Sequence, residues 1–506
     1  MLAGASFVSG YFNSLGNLPY TRLTKVRAEG KSAPNAKAIG QQKLPKSREV
    51  SRFSMHSIQC RLRRRSLPAI LSVLALLIAW AVVSPVAAQE PAAPKTAPSG
   101  AAAPAEKPAA AAQKPAAVAP KPAAPLEAAG APSAQTIPIV YLGKKYEEPL
   151  PLSYAEPIIT DKGIQGARLG ITEGTQAGKF VGHAFELEEA IVPEDGDIVA
   201  KAKEVLAKGD RFIIADLEPK DLVAVADLPE AKNSLIMNVR SSATSLREGQ
   251  CRANVFHIIP DYAMRADAIA QYLIWKKWPR WYVVRGDTES DKNYFEMVKR
   301  SAARYGGKVV GDKVYDLPPG ARNLDSGHQQ VQTQIPMVTQ EAPDHDVLWV
   351  LDSADHFGDY LMYRTALPRP VMGTQGMQAV AWDPSYTESG AMRFQNRIID
   401  IAKRRATERD YTAWLGVRSI TDGAMRSGKT KPDDLKEFLL SDQFKLEAAK
   451  GQALSFRNWD NQMRQPIILG GGTRVPVSMS PQDGFLHPTN LTDTLGFDEA
   501  ETKCDF

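Results

Sequence analysis

Asn254-Val-Phe-His-Ile-Ile-Pro-Asp-Tyr262, Trp281-Tyr-Val-Val-Arg-Gly-Asp-Thr288 and Tyr305-Gly-Gly-Lys-Val-Val310 lie within Cys251–Leu317, and their reading decides the fold. Asn254–Ile259 is a short apolar run ended by Pro260, and Asp261 stands where an N-cap is wanted. Ala266, Ile269, Ala270, Leu273 and Ile274 then mark one buried face of a helix over 262–277. Trp281–Val284 is apolar without alternation, as expected of a parallel strand covered on both sides. Arg285–Ser290 reads as the following loop, and Tyr294, Phe295, Val298 and Ala302 as the buried face of a second helix. Gly306-Gly307 stops that helix and Lys308-Val-Val310 opens a third strand. The unit is βαβαβ.

Outward from it, the pattern predicts strands at 167–171, 211–217, 234–239, 254–259, 281–284, 309–315, 346–352 and 370–372. Helices are predicted at 179–190, 197–208, 221–226, 262–277, 291–305 and 354–365. This alternation is the mark of a doubly wound α/β architecture, and the strands are too many for one sheet of ordinary size. The fold class is therefore α/β with two doubly wound lobes joined by a hinge. After Tyr386 helices are predicted at 389–405, 408–426 and 432–441, and strand-like pieces at 453–457 and 466–469 close the chain. The expected division is a leader at 1–88, a linker at 89–135, a first lobe at 136–278 plus 388–452, and a second at 279–387 plus 453–506.

The formal charge of +5 over 506 residues comes from the N-terminus. Residues 1–88 hold 13 of the 62 Lys/Arg and two of the 57 acids, so the remainder carries 49 bases against 55 acids, a net of −6. Basicity therefore gives no support to nucleic-acid binding. Met55 is a better start than Met1. It precedes Arg61, Arg63, Arg64 and Arg65, the apolar run Leu67–Val83, and Val86-Ala87-Ala88 before Gln89, the layout of a secretory signal peptide. An uncleaved membrane anchor is the alternative. Glu90–Gln135, built from Pro-Ala-Ala-type repeats, reads as an extended spacer that cannot bury a core. Cys60 leaves with the leader, so the exported chain keeps Cys251 and Cys504, most simply as one disulfide, with two buried thiols as the alternative.

Local signatures of catalysis are weak. Gly423-Ala-Met-Arg-Ser-Gly-Lys-Thr430 matches the phosphate-loop pattern letter for letter, but a helical segment feeds it and Pro432 follows. A strand must lead into such a loop before its N–H groups converge on phosphate. Gly428 is better read as a helix stop. Gly470-Gly-Gly-Thr473 is a turn. Asp352, Asp355, His356 and Asp359 suit helix N-terminal pairing better than a metal, and none is expected.

The residues now quoted carry a resemblance. The Pro260-Asp261 step, the Trp281–Asp291 wording and the Tyr305-Gly306 pair resemble type I periplasmic solute-binding proteins of ABC importers, the leucine/isoleucine/valine-binding group. Cys251–His257, Ile274–Trp281 and Trp459–Pro466 are similar to a branch found with pyrroloquinoline-quinone-dependent alcohol oxidation. The resemblance spans Ile137–Cys504 and implies three hinge crossings, a periplasmic location, a small-molecule ligand, an ABC permease partner and no enzyme activity. It requires no cofactor, and pyrroloquinoline quinone is a candidate bound ligand. The other functions kept open are a ligand-sensing module docking on a membrane receptor and an accessory protein of a quinone-dependent dehydrogenase.

In open α/β sheets ligands sit at the carboxyl ends of strands. Those ends carry Thr172, Glu173, Arg240, Ser241, Ser242, Thr244, Arg247, Arg285, Asp352, Ser353 and Gln375. The family's use of hydroxyls after the third strand and of the residue after Pro-Asp supports Ser241, Ser242, Thr244 and Tyr262. Arg418 falls on a helix that the family places near the cleft. The arginines suggest an anionic ligand, since Arg forks meet carboxylates bidentately. Trp382, near the Gly-Thr-Gln-Gly loop, could stack a planar one, whereas Trp414 reads better as core.

Overall fold

The computed structural model describes residues 135–149, 157–315, 334–471 and 476–506. The leader, its apolar run and nearly all of the Ala/Pro spacer lie outside them. Among the described residues no helix is long and apolar enough to cross a membrane.

The first lobe begins with β1 (Gln135–Lys144), α1 (Ile164–Gly178), β2 (His183–Val192), α2 (Ile198–Ala207), β3 (Phe212–Asp216), α3 (Pro219–Ala226), β4 (Leu235–Asn238) and β5 (Val255–His257). Its five strands run parallel in the order β2-β1-β3-β4-β5. Alternate residues of β1 enter opposite cores, Ile137, Ile139 and Tyr141 on one face and Val140 and Leu142 on the other. Helices α2 and α3 cover the latter face.

The chain then forms α4 (Tyr262–Trp275), β6 (Arg280–Arg285), α5 (Glu289–Tyr305), β7 (Lys308–Val314), α6 (334–340), β8 (Val347–Leu351), α7 (Gly358–Leu361) and β9 (Val371–Gly373). Here the sheet is parallel in the order β7-β6-β8-β9. Helices α4 and α5 pack on one face, and α6 and α7 on the other. Asp261 caps α4 through the Met264 N–H, as its position predicts.

The remaining elements are β10 (Gln378–Val380), α8 (Ala391–Ala402), α9 (Glu408–Ser427), α10 (Pro432–Leu440), β11 (Leu446–Glu447), β12 (Ala453–Phe456), β13 (Met463–Arg464), β14 (Ile467–Gly470) and β15 (Ser478–Ser480). Helices α8, α9 and α10 return to the first core, joining α1 on the uncovered face of its sheet. The antiparallel sheet β10-β14-β15 lies between the lobes. Ala379, Ile467 and Leu469 face the second core, while Val380 and Ile468 face the first. Among the described residues the chain passes between the cores near Ile258–Tyr262, Ala379–Ala381 and Met463–Ile467. Helix α4, which a boundary at 278 assigns to the first lobe, packs in the second core. Leu454, Phe456 and Met463, which the boundary at 452 assigns to the second lobe, pack in the first.

Three local expectations are corrected, while the Gly428 helix stop and the cysteine pairing agree with the structure. The strand predicted at 167–171 is part of α1. Gly166, Gly170 and Gly174 recur every four residues and let the helix lie directly on α9, where a β-carbon at Gly166 would overlap the Asp410 carbonyl. The helix predicted at 179–190 is instead strand β2, paired along its whole length with β1. In place of a helix over 354–365 there is only the single turn α7, whose Phe357 and Gly358 N–H groups donate to Asp352. Gly428 ends α9 in the left-handed region at φ 68°, so a helix and not a strand feeds the Gly423–Thr430 segment. Cys251 and Cys504 are bonded, with their Cα atoms 5.5 Å apart.

Candidate functional site

A cavity of about 500 Å³ opens at the carboxyl ends of β1 and β3 and beside the loop after β4, within the size range of small-molecule sites. Its lining includes Tyr141, Lys144, Tyr146, Glu148, Lys162, Ile164, Asp216, Arg240 and Arg409. Local structure explains the convergence. Thr407 and Asp410 form a capping box at the start of α9, and the fully buried Asp410 carboxylate also accepts from the Gly163 N–H and from Arg404. That junction fixes the start of α1, with Lys162, against the start of α9, with Arg409.

The charges form one network. Arg240 Nε donates to Glu218 at 2.8 Å and its fork lies 3.4 Å from Asp216 and 3.8 Å from Glu148. Arg409 donates to Glu148 at 2.7 Å and lies 3.6 Å from Asp216, while Lys162 also bonds Glu148. Tyr141 donates its hydroxyl to Asp216 at 2.8 Å. The Arg240 guanidinium stacks 4.6 Å over the Tyr146 ring, whose hydroxyl donates to Asp221 and accepts from the Glu218 N–H. Burial would raise the Glu148 carboxyl, but Arg409 and Lys162 outweigh it and hold it down at about 2. Tyr141 is pushed well up by burial and by Asp216.

The second lobe meets the first at the loop that follows Arg240. The Thr244 N–H donates to Asn293 on α5 at 3.2 Å, and the Tyr262 N–H donates to the Ser242 carbonyl at 3.0 Å. Tyr262 stacks on Tyr294, with ring centroids 4.9 Å apart. The Thr244 hydroxyl is buried without a partner.

Arg240 alone among the ligand-binding residues expected from sequence lines the cavity. Thr172 and Glu173 sit on α1 rather than at a strand end. Thr172 donates to the Arg168 carbonyl, and Glu173 accepts from Trp414 Nε1 and pairs with Arg397. Arg247 is buried and donates to Gln462 Oε1 and to the carbonyls of Ser241, Ala243 and Ile259, which makes it a tie between chain crossings. Arg285 stacks 4.9 Å over Phe295 and pairs with Asp312. Arg418 donates to the Glu447 carbonyl and pairs with Asp422. Ser353 bonds Thr288 and Asp291, while Gln375 donates to the Asp352 carbonyl and to Asp355. Trp382 is core, stacked on Tyr411 at 4.9 Å and edge-on to Phe394. Sequence reasoning missed Tyr141, Tyr146, Glu148, Lys162, Asp216 and Arg409. Reading β1 as a strand would have put Tyr141 and Lys144-Lys145-Tyr146 at its carboxyl end.

A second charged group sits where the chain crosses between lobes. Arg265 of α4 donates through Nη2 to both carboxylate oxygens of Glu408 of α9, each at 2.9 Å, and through Nη1 to the Ala379 carbonyl. Glu408 also accepts from the Ala381 N–H. Lys450, held between Ala449 at φ 57° and Gly451 at φ 76°, is buried and donates to Gln465 Oε1 at 3.0 Å and the Pro466 carbonyl at 2.7 Å. Burial lowers its ammonium to about 7 against the opposing pull of Glu408.

Residues 158–472 match the family described as periplasmic binding protein. No curated protein matches the chain in sequence. Among solved structures, a periplasmic binding protein from Burkholderia mallei is 15% identical with a TM-score of 0.53, covering 73% of this chain and 98% of its own. A branched-chain amino acid ABC transporter periplasmic ligand-binding protein from Burkholderia xenovorans is 11% identical with a TM-score of 0.56, at 73% and 99% coverage. A solute-binding protein of an ABC transporter from Rhodopseudomonas palustris, in complex with benzoate, is 13% identical with a TM-score of 0.52, at 74% and 100% coverage. At these identities the likeness is one of fold.

Proposed function

Since this chain belongs to the periplasmic binding protein family, whose members hold small molecules and work with ABC permeases, we propose that it captures a small planar solute in the first-lobe cavity and presents it to an inner-membrane permease. The observation that carries the reading is the cavity itself. It has about 500 Å³ of space at strand carboxyl ends and is lined by Asp216, Arg240 and Arg409, with Arg240 on the same loop that contacts the second lobe through Thr244. The partly exposed Tyr146 offers ring surface for a flat solute. The benzoate held by the Rhodopseudomonas protein is a solute of this shape. Pyrroloquinoline quinone is also flat, but its three carboxylates would meet a site whose arginines already have partners. The ultraviolet–visible spectrum of protein from its native host separates these, since a quinone band would identify that ligand.

The test is a thermal-shift titration with the low-molecular-weight fraction of the host's periplasm. A saturable rise in melting temperature is expected, with loss of the rise in Tyr146→Ala, which removes the ring beneath Arg240. An equal rise in parent and variant would move the site elsewhere.

A further inference from the structure

We propose that this cavity selects an uncharged, hydroxyl-bearing solute and rejects the carboxylate of the same carbon skeleton. The inference deepens the solute-capture reading and rests on it. Arg240, Arg409 and Lys162 supply three positive charges, and Asp216, Glu148 and Glu218 supply three negative ones. These six balance without a ligand; at the rim Lys144 pairs with Asp221 and Asp161 with Arg404, while Lys145 is exposed to solvent.

The geometry reinforces the count. Glu148 is shared by Arg409, Lys162 and, at longer range, Arg240, and Asp216 lies between the two guanidinium groups at 3.4 and 3.6 Å. The Arg240 plane is clamped over Tyr146 and cannot turn to a newcomer without leaving Glu218. An entering carboxylate would have to displace a resident one or stand beside Glu148 and Asp216, and like charges brought into contact are disfavoured, most of all beside the buried Asp216. A hydroxyl meets no such obstacle. Asp216 Oδ1 has only its two longer contacts to arginine and retains accepting capacity for an O–H donor. Ile158, Ile164, Ile191 and Pro157 supply apolar wall for the rest of the skeleton. Selectivity therefore comes from the acids already in place, which act against the wrong partner.

The experiment uses the exported chain and matched alcohol/carboxylate pairs across aromatic, aliphatic and polyol skeletons, such as benzyl alcohol with benzoate and glycerol with glycerate. Melting-temperature shifts find the skeletons that bind, and calorimetry then measures both members. The alcohol is expected to bind at least about tenfold tighter than its carboxylate. Glu148→Gln, which unbalances the network by one charge, should shift that ratio toward the carboxylate by about tenfold. Glu218→Gln, altering the half-exposed partner of Arg240, provides the same test should Glu148→Gln fold poorly. A carboxylate that binds the parent more tightly, or a ratio unchanged in both variants, overturns the proposal and leaves solute capture standing. If no pair moves the melting temperature of the parent or of either variant, the solute-capture reading fails, and this inference fails with it.

Discussion

Replacing Lys450 by Met should remove a specific pH dependence of stability. Lys450 is buried between the lobes, with its ammonium lowered to about 7 by burial, whereas in the unfolded chain a lysine titrates near 10.5. Between these values the unfolded chain binds the extra proton and the folded one does not. Stability therefore rises with pH across this window, while below about pH 7 both states are charged and the effect vanishes. Over pH 7 to 9.5 the difference is worth about 3 kcal/mol at about 1.4 kcal/mol per unit. The neutral amine can still donate to Gln465 Oε1 and the Pro466 carbonyl, neither of which needs a cation. Urea unfolding of parent and Lys450→Met at half-unit pH steps is the assay. Other titrating groups are common to both proteins, so the gap between the two curves should change by about 3 kcal/mol in favour of the parent as pH rises. The absolute offset at pH 7 is a poorer guide, because Met leaves both acceptors unpaired. Parallel curves would refute the reasoning and show that the folded protein keeps Lys450 charged throughout.

Further outcomes can be checked at other sites. The Cys251–Cys504 bond closes a loop of 253 residues, and on chain-entropy grounds its reduction should cost up to about 5 kcal/mol, a fall of up to roughly 7 °C in Tm for a folded part of this size; calorimetry with and without reductant measures it. Gly166→Ala should destabilise by about 1–3 kcal/mol or more, because the new methyl overlaps the Asp410 carbonyl, and denaturant melts would show it. Arg418→Ala should leave solute affinity within about twofold, since its guanidinium serves the Glu447 carbonyl and Asp422 outside the cavity. Glu148, whose carboxyl is held down at about 2, stabilises the fold above its ordinary value near 4.5. That contribution is lost as pH falls from there toward 2, so Glu148→Gln should flatten acid unfolding in that range.

Legibility followed burial. Strands β3 to β6 and β8 are covered on both faces, so their sequences are continuous apolar runs with clear ends. β1 is equally buried in its second half, but it follows directly on the Ala/Pro spacer and contains Pro138, which argues against a central strand. Pro138 is tolerated because pairing with β3 begins only at Ile139. α1 hid behind its glycines, which lower helix propensity yet are what allow it to lie close on α9. Those two misreadings displaced the site, since Tyr141 lies in β1, Glu148 follows it and Lys162 precedes α1. Arg240 and Arg285 stand at strand ends, whereas Arg418 lies inside α9, and acids that hold the cavity's arginines come from far away in sequence. Arg409 and Glu148 are 261 positions apart, and no local pattern announces such a pairing.

The central claim is that the first-lobe cavity holds one small solute carrying no net charge. Native mass spectrometry of the exported protein purified from its own host, followed by identification of what is released on unfolding, tests it most directly. The expected result is a near-stoichiometric mass increment from one neutral, hydroxyl-bearing molecule, lost in Tyr146→Ala. A stoichiometric carboxylate or quinone would contradict the charge argument, and bare polypeptide that stays bare when the host's small-molecule fraction is returned would contradict solute capture itself.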